Sequence, residues 1–214
     1  AWKVFKTGAG SALLKSPQGV AKIVSKLASA VSKPVTVKIR AGIDEKHINA
    51  VEVAKAVEDA GAAAIAVHGR TAKQGYSGKA DWNLIKRVKE SVGIPVIGNG
   101  DVFSPEIFAK RLEESGVDAI LIARGAIGNP YIFSQIRDYL EKGSYDFKSP
   151  LEQFRDYLKF ADKWSIGYAQ LKQQAISFAR GFEGSAKLRA RLSGAKSREE
   201  VACLMDEAGD RHRT

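Results

Sequence analysis

Four short apolar runs rich in β-branched residues recur at roughly 25- to 30-residue spacing, with a helical pattern between each and the next. The runs are Val35–Arg40, Ala63–His68, Ile94–Asn99 and Ala119–Arg124. Their nearly continuous apolar character predicts strands covered on both faces, as parallel strands beneath helices are. Between them, His47–Ala60, Trp82–Val92 and Pro105–Ser115 carry apolar residues at amphipathic helical spacing. Ser104 precedes Pro105 as an N-cap before a first-turn proline, and Gly61 and Gly116 are placed to stop the helices before them. Strand and helix alternating in this way define a parallel α/β fold. A closed (β/α)8 barrel needs eight such units and about 250 residues, so four units predict half a TIM barrel: either a piece of a longer barrel or a half-barrel that pairs.

The rhythm stops near residue 142. Residues 143–150, Gly-Ser-Tyr-Asp-Phe-Lys-Ser-Pro, mix turn formers with aromatics and read as a linker. From Leu151 onward apolar residues such as Phe154, Leu158 and Ala161 fall at helical spacing without strand-like runs. The expected organisation is an α/β domain over 1–142, a linker over 143–150 and a small helical domain over 151–214.

Composition narrows the function classes. Hydrophobic residues make up 44% of the 214-residue chain, the share of an ordinary globular domain. No run reaches the roughly 18 to 20 consecutive apolar residues of a membrane span, and the first six residues lack the apolar region of a signal peptide. No membrane association and a cytoplasmic location are expected. The single cysteine, Cys203, has no partner for an internal disulfide and lies in Val201-Ala202-Cys203-Leu204-Met205, where a small packed hydrophobe is expected. A formal net charge of +10 makes a polyanionic partner plausible on physical grounds. The charge is uneven: between Lys163 and Arg198 stand Lys163, Lys172, Arg180, Lys187, Arg189, Arg191, Lys196 and Arg198 against a single acid, Glu183. Such a stretch is either a solvated helical face or a phosphate-binding one.

Reactive groups of an α/β barrel sit at the C-terminal ends of its strands, and polar residues gather there. Lys38 interrupts an apolar strand, which requires an ion pair or an anionic ligand, since burying an unpaired ammonium is costly. His68 closes the second run and opens a polar loop; a histidine at a strand end is more often a satisfied structural residue than a catalyst, and both roles stay open to it. Asn99-Gly100-Asp101 ends the third run and Ala123-Arg124-Gly125 the fourth. Glycine and arginine on the last two strands form the usual barrel phosphate site, where backbone N–H groups come close to the anion.

The order of these blocks carries a resemblance. Gly8-Ala9-Gly10-Ser11-Ala12-Leu13-Leu14, Val35-Thr36-Val37-Lys38-Ile39-Arg40, His68-Gly69-Arg70-Thr71, Gln74-Gly75-Tyr76-Ser77-Gly78, Asp81-Trp82, Pro95 to Asp101 and Ala123 to Pro130 resemble successive signatures of tRNA-dihydrouridine synthases. The helical tail resembles the family more loosely, through Lys172-Gln173-Gln174, Arg180-Gly181, Gly184 and Leu188-Arg189. The resemblance implies the C-terminal half of a TIM barrel followed by a small helical domain, with FMN at the barrel mouth, NADPH as reductant and tRNA as substrate. It implies cofactor contacts from Lys38 and His68, phosphate contacts from Asn99, Gly100, Asp101, Ala123, Arg124 and Gly125, and tRNA contacts from Arg70, Lys172, Arg180, Lys187, Arg189 and Arg191. Ala123 stands where many members have glycine, a mild departure. It implies no metal.

In the family a flavin reduced by NADPH delivers hydride to carbon 6 of a uracil while a cysteine protonates carbon 5. That cysteine belongs to a Gly-Cys-Pro motif directly before the segment matching Ala1–Lys6, so it is expected upstream of Ala1, and the chain alone is expected to be inactive. Two other readings stay open: a catalytically inactive half-barrel that binds tRNA or a partner, and a flavin barrel acting on a free pyrimidine, as dihydroorotate dehydrogenases do. The latter leaves the basic tail unexplained. Oligomeric state, and which uridine is modified, are not legible.

Overall fold

A computed structural model describes residues 2–211. Its elements are α1 (Trp2–Lys6), a 3-10 helix Gly10–Lys15, α2 (Pro17–Ala30), β1 (Thr36–Arg40), α3 (Ala50–Asp59), β2 (Ala64–His68), α4 (Trp82–Ser91), β3 (Val96–Asn99), α5 (Pro105–Ser115) and β4 (Ala119–Leu121). A 3-10 turn Arg124–Ala126 follows, then α6 (Ile132–Lys142), α7 (Pro150–Lys163), α8 (Tyr168–Phe178), α9 (Ser185–Gly194) and α10 (Arg198–Arg211). The chain forms two compact units. The first is Ala1–Val102 with Glu106–Ala123, and the second is Phe103–Pro105 with everything from Arg124 onward.

In the first unit the four strands pair in parallel in the order β1-β2-β3-β4. Each connection between sequential strands carries a helix, as parallel pairing demands. Alternation along the strands gives the sheet two unlike faces. Ile39, Ile65, Val67 and Val96 are buried with Val53, Val57, Ile85 and Val88 of α3 and α4 in one apolar cluster, to which Val20 and Val24 of α2 also belong. Burial on both faces holds for β2, where Ile65 through His68 are all buried. It fails for β1 and β4, which carry exposed and half-buried positions. The physical reason is topological: these are the two outer strands of the sheet. The helix expected from His47 starts only at Ala50, because Ala41 to Asn49 form a loop closed by an antiparallel bridge between Gly42 and Ile48.

The second unit is helical. Phe154, Leu171, Ala175, Phe178, Leu192 and Val201, each at most 2% exposed, form its centre, with the Phe154 and Phe178 rings edge to face at 5.7 Å. Three expectations are corrected here. Residue 150 is not linker: α7 begins at Pro150, where Ser149 Oγ accepts from Glu152 N at 3.2 Å and Glu152 Oε2 accepts from Ser149 N at 2.9 Å. The boundary expected at 142 lies instead after Ala123. The cause is a polar knot that ties the approach to α6 onto α7: Gln153, 2% exposed, donates to Asn129 Oδ1 and Lys148 O, both at 2.9 Å, while Tyr131 Oη donates to Asp156 at 2.7 Å. Cys203 is exposed, with Sγ 3.5 Å from Glu207 Oε1, which corrects the packed-hydrophobe expectation. It stands on the outer side of α10 while its neighbours Val201, Leu204 and Met205 take the inner one. Among the described residues no helix is long and apolar enough to cross a membrane, and no group of three or more His, Cys, Asp or Glu is placed to hold a metal ion.

Candidate functional site

Register brings the sequence-selected residues of the first unit together. Arg40 stands beside His68, and His68 beside Asn99, across β1, β2 and β3 at their C-terminal ends. Lys38, two residues before Arg40 and so on the same face, places Nζ 3.4 Å from Asn99 Oδ1, while Asn99 Nδ2 donates to Leu121 O at 2.8 Å. Lys38 is exposed rather than deep, because β1 is an edge strand. Partial desolvation and the neighbouring Arg40 still lower its pKa. His68 is buried, and desolvation, followed by repulsion from Arg40, Lys38 and Arg70, lowers its pKa to about 4. At neutral pH the imidazole is therefore uncharged, and the cluster's charge resides on Lys38 and Arg40.

Gly100 lets the backbone pass beneath this imidazole. Its φ is +140°, and a Cβ there would meet Ala80 Cβ at 2.4 Å and stand 3.5 Å from His68 Cδ2, so only glycine fits. Trp82 Nε1 donates to Gly100 O at 2.9 Å and fixes the turn. Asp101 follows in a left-handed conformation with φ +53°, which Asp tolerates better than most residues.

The structure gives Asp101 and Arg70 a different task from the expected one. Arg70 is 2% exposed and its guanidinium donates to both carboxylate oxygens of Asp101, at 2.8 and 2.7 Å, with further bonds to Ser77 O and Gly78 O. Asp101 Oδ2 also accepts from Ala80 N at 2.8 Å. A guanidinium buried and spent in this way cannot reach an RNA phosphate, and a carboxylate is no phosphate ligand. The pair pins the loop after β2 to the turn after β3. The sequence places both residues beside glycines in loops, which is why they read as ligand contacts. Arg40 belongs to the same scaffold and sequence reasoning gave it no role: its Nη1 donates to Thr71 O at 3.1 Å and Gly75 O at 3.3 Å.

The remaining expected site residues divide by unit. Ala123 is exposed at the end of the first unit. In the second, Gly125 is buried in the 3-10 turn, and the Arg124 guanidinium stands 5.7 Å from the centre of the Phe103 ring. Of the tail cations, Lys172 and Arg189 serve the fold. Lys172 donates to Ser193 O and Ala195 O at the end of α9, at 3.1 and 3.0 Å, and Arg189 donates to Ala179 O at 2.8 Å. Arg191 pairs with Glu207 at 2.9 Å. Lys187 and Arg191 line one pocket of about 310 Å³, with Phe182 and Glu183. Arg180 and Lys187 are exposed. The single-sign face expected from composition is thus a mixture of helix-capping cations and solvent-facing ones.

Two cations, a neutral imidazole and a glycine-cleared turn gathered at the strand ends of a parallel α/β sheet form an edge whose chemistry can accept an anionic or heteroaromatic group. The chain belongs to the dihydrouridine synthase family, whose model, described as "Dihydrouridine synthase (Dus)", matches residues 1–211. It is 38% identical over 213 residues to a "Probable tRNA-dihydrouridine synthase 1" of Synechocystis sp., covering 96% of this chain and 60% of that relative. It is 48% identical over 142 residues to "tRNA-dihydrouridine synthase B" of Shewanella oneidensis, covering 66% of this chain and 44% of the relative. A "Probable tRNA-dihydrouridine synthase" of Rickettsia conorii is 49% identical over 141 residues, covering 66% and 43%. The chain therefore spans about half the length of these curated relatives.

Proposed function

We infer that the protein of which this chain is a part reduces uridine in tRNA to 5,6-dihydrouridine, with FMN as cofactor and NADPH as reductant. The sheet is then the C-terminal half of a TIM barrel, the helical unit supports tRNA binding, and the reaction is cytoplasmic. The observation that carries the reading is the strand-end group Lys38, Asn99 and His68, with Nζ of Lys38 3.4 Å from Asn99 Oδ1 in a chain matched along 1–211 by the family.

The residues fit a flavin on three counts. Lys38 has ammonium donors beyond the one given to Asn99, and its pKa is lowered by partial burial and by the charge of Arg40. An anionic ring edge beside it relieves both Lys38 and Arg40. His68, held neutral, offers a donor or acceptor without adding a third positive charge. The glycine-cleared turn at Gly100 admits a flat group close to backbone. A flavin bound here supplies hydride chemistry. The chain's own part is to hold its negative charge at Lys38, orient it with Asn99 and His68, and present the substrate. Asp101 and Arg70 stay outside the ligand set as the brace that keeps the two loops in place.

The test is to purify the full-length protein, measure bound FMN, and assay dihydrouridine formation on unmodified tRNA with NADPH. Lys38→Ala should lower turnover at least tenfold while flavin content falls less, the mark of a residue that acts on developing charge rather than on binding alone. A protein that carries no flavin, or flavin without dihydrouridine formation, overturns the assignment.

A further inference from the structure

Ala80, Asp81 and Trp82, which lead into α4, each hold a segment next to the strand ends of His68 and Asn99. Ala80 N donates to Asp101 Oδ2 at 2.8 Å, Asp81 N to Gly69 O at 2.6 Å, and Trp82 Nε1 to Gly100 O at 2.9 Å. Gly69 directly follows His68 and Gly100 directly follows Asn99, so both strand ends are fastened to one short segment. Each of its residues occupies space that a glycine leaves open. A Cβ at Gly100 would meet Ala80 Cβ at 2.4 Å, one at Gly69 would meet Asp81 O at 2.7 Å, and one at Gly98 would meet Trp82 Cζ3 at 2.6 Å. Gly98 stands within β3, where glycine weakens a strand and marks a close approach; the indole is what approaches. Ala80 and Asp81 donate from the backbone, as almost any residue would, whereas Trp82 donates from its side chain. Trp82 is 5% exposed, so its bond is sheltered from water, where the loss of a donor costs most.

Resting on the reading of FMN as cofactor, we propose that Trp82 is a positioning residue for the flavin site: through the Gly100 carbonyl its indole N–H sets where the turn after β3 stands relative to His68, and with it the place of Asn99. Filling the space over Gly98 requires an aromatic ring but not its N–H. The N–H is spent on the one carbonyl between Asn99 and Asp101. Because the peptide unit is planar, holding that carbonyl also fixes the backbone entering Asp101, whose carboxylate braces Arg70. Trp82 acts only through this turn. Small displacements of groups that orient a reacting partner are costly even when they arise outside the site.

The experiment titrates FMN into the full-length apoprotein, well below the melting temperature of every variant, and follows the quenching of flavin fluorescence and the absorption bands of the bound flavin. Trp82→Phe keeps an apolar ring over Gly98 but no donor, and should weaken FMN binding by roughly 5- to 30-fold. The flavin that does bind should show shifted absorption bands, because its polar neighbours have moved. Trp82→benzothienylalanine has the shape of the indole with sulfur in place of the N–H; it should reproduce the loss of affinity and the spectral shift while melting closer to wild type than Trp82→Phe does. Should Trp82→Phe fail to fold, the isosteric variant decides alone. Wild-type affinity and wild-type flavin bands in the folded variants, whatever their melting temperatures, would make Trp82 a core residue only, and would overturn the proposal while leaving FMN as cofactor. A loss in Trp82→Phe that the isosteric variant does not share would assign the effect to packing and overturn it likewise. A wild type that binds no FMN overturns this proposal and the cofactor assignment together.

Discussion

His68 lies among Arg40, Lys38 and Arg70 with only Asp101 to offset them, and burial outweighs all of these, so its pKa falls from 6.5 to about 4. The unfolded chain binds a proton at this histidine below pH 6.5 that the folded chain refuses until about pH 4. Stability is therefore fully present above pH 6.5 and drains away as pH falls through that window, by up to about 3 kcal/mol from this one group. His68→Gln should flatten the decline, visible as a smaller drop in unfolding midpoint between pH 7 and pH 4.5. Parallel decline in both proteins would place the effect elsewhere. The Arg70–Asp101 brace makes a second residue-scale prediction. Asp101→Asn strands a guanidinium that is 2% exposed and should cost about 3 kcal/mol in denaturant unfolding. Replacing both residues by leucine should cost less than the sum of the single losses, since the brace between the loops is then removed without leaving a buried charge behind.

At the scale of elements, α7 shows what a cap contributes. Ser149 and Glu152 satisfy each other's backbone N–H groups at its first turn, so Ser149→Ala should destabilise the helical unit by about 1 kcal/mol, read as a lowered urea midpoint. The same turn shows where sequence reading reaches and where it stops. Ser-Pro-Leu-Glu is a capping-box signature, but the glycine, serine and aromatics just before it read as linker and mask the helix start. The strand positions are legible because continuous apolar runs under helices have few other uses. The covering of β1 and β4 is not, because coverage depends on neighbours and not on the strand's own pattern. The same limit hides Arg40. Lys38, His68 and Asn99 can be selected from strand-end position, and the sheet register does bring them together. Whether an arginine in a glycine-rich loop faces a ligand or a carboxylate depends on the other loop it meets, which no local spacing contains.

The chain as a whole carries +10, but net charge attracts RNA only through cations left to solvent, and the structure separates these from the ones used in folding. Lys172 and Arg189 close off carbonyls at helix ends within the second unit, Arg198 is held by Asp162 and the Ile166 carbonyl, and Arg191 is paired with Glu207. Arg180 and Lys187 remain exposed. Removing charge from the two sets should have opposite signatures. Arg180→Gln with Lys187→Gln should lower tRNA affinity and reduce the salt slope by up to about 0.7 to 0.9 for each phosphate no longer neutralised, at an unchanged melting temperature. Lys172→Gln with Arg189→Gln should lower the melting temperature, because two sets of helix-end carbonyls lose their donors, and should affect tRNA binding only where the helical unit has begun to open. NADPH-driven flavin reduction should survive the first pair, since neither residue lies in the sheet. An unchanged salt slope in Arg180→Gln with Lys187→Gln would make these two a merely solvated pair.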